Sequence, residues 1–104
     1  MVLRGVNIFP IQIEKILMQF KELGNNYLIT LTTDEDNDNM TVEVELAEMF
    51  TDDYGRLTRL SKDITRALKD EILLTPRVRL VPRGTLPVSE GKAVRVVDKR
   101  KVYQ

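Results

Sequence analysis

Near the end of the sequence, residues 86–100 read LPVSEGKAVRVVDKR, with Lys92 set between Gly91 and Ala93 and followed by Arg95. An ammonium group on a four-carbon stem is a compact point charge that can be swung onto an anion. Two small neighbours and an approach stiffened by Pro87 suit that use; an ordinary surface turn with a solvated lysine has the same composition, and spacing alone does not separate the two. Absences narrow the field further. The sequence has neither cysteine nor histidine, which removes thiolate nucleophiles, disulfides, Cys/His zinc centres and imidazole acid–base catalysis. Any chemistry must use ammonium, guanidinium, carboxylate, hydroxyl or backbone groups.

Two other stretches invite a chemical reading. Asp34, Asp36, Asp38 and Glu45 fall at the first, third, fifth and twelfth positions of an EF-hand calcium loop. Asn39 stands where the sharp turn wants glycine, no helices flank the segment and its second half alternates like a strand, so a solvated acidic hairpin loop is the better account and no metal site is expected. The net charge of zero conceals segregation: residues 34–53 hold nine acidic and no basic residues, residues 83–101 six basic and two acidic. A basic end suits an anionic partner. Nucleic acid is disfavoured, because no cluster of base-stacking aromatics accompanies Tyr27 on the expected strands.

The elements that must carry these groups follow from periodicity. Residues 2–9 (VLRGVNIF) suit a strand interrupted at Gly5, where a bulge or close backbone approach is expected. Pro10 opens a helix whose Ile13, Ile16, Leu17 and Phe20 share one face, with Gly24 as its stop after three to four turns. Tyr27, Ile29 and Leu31, then Met40, Val42, Val44 and Leu46, alternate as a hairpin joined by a polar connection at 34–39. Leu57, Leu60, Ile64, Ala67, Leu68 and Ile72 mark a second amphipathic helix over residues 54–73, ended by Pro76. Residues 77–81 (RVRLV) form a short strand. The order β-α-β-β-α-β predicts an α+β, ferredoxin-like domain over residues 1–104, with two helices on one face of a four-stranded sheet and the segment from Thr85 onward outside the core as a loop and tail. No run approaches the roughly 20 apolar residues of a membrane span, nothing in these residues resembles a signal peptide, and a cytoplasmic location is expected.

The two ends of the sequence carry a resemblance. Residues 4–14 (RGVNIFPIQIE) are similar to the arginine-glycine, proline and isoleucine-glutamate pattern that opens the C-terminal domain of adenylate-forming acyl-CoA ligases, and residues 86–100 to the proline, glycine-lysine, arginine pattern that closes it. Their wording resembles the phenylacetate-CoA ligase branch, and the similarity spans essentially the whole chain. Val88 and Val94 depart from it where many relatives carry basic residues.

The resemblance implies a lid domain cut just after its hinge, acting with an N-terminal adenylating domain absent from these residues and inactive alone. ATP and coenzyme A are the implied substrates, with Mg2+ accompanying ATP in the full-length enzyme and none held by this fragment. Lys92 is the implied catalytic residue of acyl-adenylate formation, with Pro87, Gly91 and Arg95 supporting its loop; Gly5 and Arg4 would line the coenzyme A tunnel in thioester formation. The partners implied are the missing domain, coenzyme A and the acyl-adenylate, without nucleic acid or membrane and compatible with a homo-oligomer. The acid itself is not legible in this piece. The competing readings are a free-standing ferredoxin-like module for a small ligand or RNA, and a lid without a catalytic lysine.

Overall fold

The computed structural model describes residues 1–47, 53–89, 92–93 and 95–100. Its centre is an antiparallel pair, β3 (Leu23–Asp34) and β4 (Asn37–Leu46), extended by β5 (Arg77–Val81) beside β4 and β8 (Val96–Asp98) beside β3, both parallel to their neighbours. Helices α1 (Pro10–Leu17) and α2 (Tyr54–Ile72) complete a mixed α+β fold of the expected ferredoxin-like class. Alternation decides which face is covered. Tyr27, Ile29 and Leu31 of β3, and Met40, Val42 and Val44 of β4, are buried in one cluster with Ile13, Ile16 and Leu17 of α1 and Leu60, Ile64, Leu68 and Ile72 of α2. Period 2 on the strands and period 3.6 on the helices thus converge on one core.

The strands are not those that the order of apolar segments implies. Residues 2–9 make no sheet strand; β1 (Val2–Leu3) and β2 (Val6–Asn7) pair only with each other. Arg4 and Gly5 between them have φ of 51° and 78°, which turns the chain back within two residues. The fourth sheet strand comes instead from beyond Thr85: Val96–Asp98 lies along Ile29, Thr30 and Leu31. Its backbone is held by Ile29 N–H to the Arg95 carbonyl at 2.7 Å and Lys99 N–H to the Leu31 carbonyl at 2.8 Å. The tail's β-branched pair therefore satisfies an edge that the N-terminal segment leaves open.

Three local differences have equally local causes. Helix α1 stops at Leu17 and Gly24 belongs to β3, where a Cβ would stand 3.3 Å from the Glu45 carbonyl, a tight contact; glycine suits the close strand approach at the register irregularity between Leu23 and Tyr27. Glu35 and Asp36 both adopt positive φ, so the ladder runs to the Asp34–Asn37 pair and the polar connection shrinks to a two-residue turn. Helix α2 begins where the Asp53 carboxylate accepts the Arg56 N–H at 3.0 Å and ends at Leu73 in the left-handed region, short of Pro76. Two further short strands, β6 (Val88–Ser89) and β7 (Lys92–Ala93), form an antiparallel ribbon separate from the main sheet. Among the described residues no helix is long and apolar enough to cross a membrane.

Ile64 has no solvent-accessible surface and lies where α2 meets the sheet. Ile64→Ala should lower the unfolding free energy by about 2–5 kcal/mol in a urea titration, whereas Lys62→Ala, on the same helix but outside the core cluster, should stay within about 0.5 kcal/mol of the parent.

Candidate functional site

The residues singled out for chemistry gather on two hairpins, each seated at a different end of the β3–β4 ladder. At the turn end, Arg4 donates from Nε to the Asp38 carbonyl at 2.8 Å and from Nη2 to Asn39 Oδ1 at 2.9 Å. Gly5 completes that hairpin, and a Cβ on it would meet nothing within 4 Å; its φ, not crowding inside the domain, is what calls for glycine. Arg100 locks the same end. Its guanidinium bonds to both Asp98 carboxylate oxygens at 3.0 and 2.8 Å, reaches Asp38 Oδ2 at 3.4 Å and donates to the Val2 carbonyl.

At the other end of the ladder the chain approaches Lys92 through a turn in which the Thr85 N–H meets the Pro82 carbonyl at 3.2 Å and Gly84 has φ 84°. Leu86 is buried and Pro87 exposed, and the ribbon follows with Ser89 opposite Lys92 and Val88 opposite Ala93. Gly91 lies outside the described residues, as do Val94, Lys101 and Tyr103. Arg95, just after the ribbon, places its guanidinium carbon 4.4 Å from the centroid of the Tyr27 ring and donates to Asn26 Oδ1 at 3.1 Å.

A carboxylate that spacing did not single out for this role holds the near side of the same structure. Glu45 is 6% exposed and lies beside Val81 in the β4–β5 ladder. Its Oε1 accepts the Gly84 N–H at 3.0 Å, and its Oε2 accepts the Leu86 N–H at 2.8 Å and the Asn26 side-chain amide at 3.1 Å. Burial alone would raise this carboxyl; the two backbone N–H groups, the Asn26 amide and the nearby Arg83 charge outweigh it and leave the group below the ordinary carboxylate value. Glu43 and Glu45 occupy equivalent positions in the strand alternation, so the sequence offers no signal to tell them apart. The one usable clue is the Pro82–Gly84 spacing, which announces a turn whose amides need acceptors.

Tyr27 is 3% exposed, and burial, followed by the Glu14 carboxylate beside it, pushes its phenol up. The strands therefore present no exposed aromatic among the described residues on which a base could stack. Of the EF-hand-like set, Asp38 is engaged by Thr33 and Arg100, and Glu45 by the turn. No group of three or more acidic side chains among the described residues stands ready to hold a metal ion.

Residues 5–100 match the model of the AMP-binding enzyme C-terminal domain. The phenylacetate-coenzyme A ligase of Pseudomonas putida is 39% identical over 101 residues, covering 96% of this chain but only 23% of that ligase. The crystal structure of a domain of phenylacetate-coenzyme A ligase from Bacteroides vulgatus superposes with a TM-score of 0.90 at 68% identity, covering 99% of this chain and 94% of that one. A 2-hydroxyisobutyryl-CoA ligase in complex with 2-HIB-AMP and CoA in the thioesterification state gives a TM-score of 0.85 at 25% identity, covering 96% of this chain and 21% of that one.

Hydrogen bonds from the Arg100 side chain and backbone hold the Asp98 carboxyl at about 2. A depressed folded value contributes stability that is present in full above the unfolded value, about 3.9, and is lost as the pH falls through the folded one. Asp98→Asn should accordingly be less stable than the parent at neutral pH, with the two denaturation curves converging as the pH approaches 2. Carboxyl titration followed by NMR supplies the folded value directly.

Proposed function

Because the chain belongs to the AMP-binding enzyme C-terminal domain family, we propose that it is the mobile lid of a phenylacetate-CoA ligase, acting with an N-terminal adenylating domain outside these residues. The observation that supports this best is the anchoring of two hairpins at opposite ends of one rigid ladder. Arg4 grips Asp38 and Asn39, while the stem before Lys92 is gripped by Glu45. Seven residue steps of extended strand separate Asp38 from Glu45, about 24 Å at ~3.4 Å per residue. One domain can then offer either end to a shared site, but not both at once.

In the first reaction a carboxylate oxygen of the acid attacks the α-phosphorus of ATP, the bond to the β-phosphate oxygen breaks, and pyrophosphate leaves. Both reactants are anionic, and the Lys92 ammonium is the charge that offsets their repulsion as the new bond forms. In the second, the coenzyme A sulfur attacks the acyl carbon, the thiol gives up its proton, and the acyl–oxygen bond breaks to release AMP. For that step the domain turns to present the Arg4–Gly5 hairpin, where a glycine backbone leaves room for the pantetheine arm and Arg4 lies toward the anionic end of the coenzyme. Mg2+ would enter with ATP.

In the full-length ligase, Lys92→Ala should slow adenylate formation by about 10²–10³-fold, the usual effect of removing one preorganised electrostatic group. Thioester formation from supplied acyl-adenylate should stay near the parental rate. Gly5→Leu should reverse the pattern, with pyrophosphate exchange preserved and thioester output reduced. Gly5→Asn, which tolerates positive φ, controls for strain in the turn. Parental adenylation by Lys92→Ala would reduce Lys92 to a turn residue.

A further inference from the structure

Glu45 is the one buried charged residue among the described residues, and both of its carboxylate oxygens accept a backbone N–H from the approach to the ribbon. An apolar side chain would fill its place beside Val81, but the Gly84 and Leu86 N–H groups would then lose their acceptor, and for the buried Leu86 amide the loss of a partner is costly. Every buried side-chain nitrogen and oxygen among the described residues has a hydrogen-bond partner, so this network is complete. It also reaches the far side of the ribbon: Asn26 donates to Glu45 and accepts from Arg95, whose carbonyl receives the Ile29 N–H at the start of β8. Leu86, where the chain leaves the sheet toward Lys92, and Arg95, where it returns, are therefore fastened to a single node.

We propose that Glu45, with Asn26, is a positioning residue for Lys92, clamping both stems of the ribbon so that the ammonium is delivered from a fixed origin when the lid closes. The proposal rests on the adenylation role of Lys92. Glu45 touches neither acid nor nucleotide; it acts through the geometry of the ribbon, where small misplacements are amplified into large rate losses. Buried polar groups of this kind can specify one arrangement even where they add little net stability, and here the arrangement specified is that of a catalytic hairpin.

Two measurements test it. Glu45→Gln keeps the shape of the side chain but replaces one acceptor oxygen with an NH2 group, which cannot receive both turn amides. In the chain itself, amide exchange should accelerate at Gly84, Leu86 and Ile29 while Val42 keeps its protection; a uniform change across the domain, or none, overturns the clamp. In the full-length ligase, Glu45→Gln should lower kcat for pyrophosphate exchange by ~10–100-fold, with smaller changes in KM for ATP and acid and near-parental thioester formation from supplied adenylate. Glu43→Gln, on the same strand, should behave as the parent. The penalty of Glu45→Gln should vanish in a Lys92→Ala background, because a residue that works through Lys92 has nothing left to position. Equal loss in both half-reactions, or a penalty that persists without Lys92, overturns the positioning role. If Lys92→Ala alone leaves adenylation unchanged while local amide exchange still responds to Glu45→Gln, the clamp is real but the function assigned to the lysine fails, and the positioning role falls with it.

Discussion

The β3–β4 ladder is the part of this molecule on which every other element depends, and its register is set by a turn of two residues. With Glu35 and Asp36 both at positive φ, Asp34 faces Asn37, and the pairing then runs back through Leu31–Met40, Ile29–Val42 and Tyr27–Val44. A slip by one residue would carry each of those side chains to the opposite face and empty the core. The helices pack on the buried face, β5 and β8 pair along the two flanks, and both short hairpins attach at the ends. The ladder thus acts as a ruler: it sets the separation between the Arg4–Gly5 turn and the origin of the Lys92 ribbon.

Much of this was legible in the amino-acid order. The apolar stripe of α2 and the alternation of β3 and β4 are strong signals, because amphipathic period and burial enforce each other; Ile64, Leu68, Ile29 and Val42 lie where that pattern puts them. The Lys92 segment and the Arg4–Gly5 pair stand out in the sequence through wording that resembles a family's, not through any periodic pattern. The edge strands were not. VLRGVNIF and VRVVD have similar β-propensity, and which of them joins the sheet is decided by the positive φ of Arg4 and Gly5 together with the backbone bonds of Ile29 and Lys99. Neither factor leaves a periodic trace. Glu45 was hidden for a related reason: a strand alternating with carboxylates does not say which of them will be roofed by a later turn.

The two ends of the ladder are held by different physics. At the turn end, Arg4 and Arg100 reach exposed carbonyls and partly exposed carboxylates, contacts screened by water and salt and individually modest. At the Lys92 end, a buried carboxylate gathers backbone amides in a low-dielectric setting, where each bond is stronger and each omission more costly. Under the proposed function, the first arrangement suits a surface that accommodates a passing ligand, and the second a loop that returns to one geometry on every cycle.

Strand β5 leaves one flank of the sheet open, and its composition shows how that edge avoids company. Pro76 and Pro82 bracket its five residues, and neither proline has an N–H to offer an incoming strand. Arg77 and Arg79 project from it, paired loosely with Asp34 and Glu43 but largely solvent-exposed. An approaching strand would have to bury those guanidinium groups along a ladder too short to compensate. For a domain that works as the proposed lid, breaking and remaking its contacts, such an edge discourages permanent ones: reversible docking is compatible with this flank, and growth of the sheet into a neighbouring molecule is not.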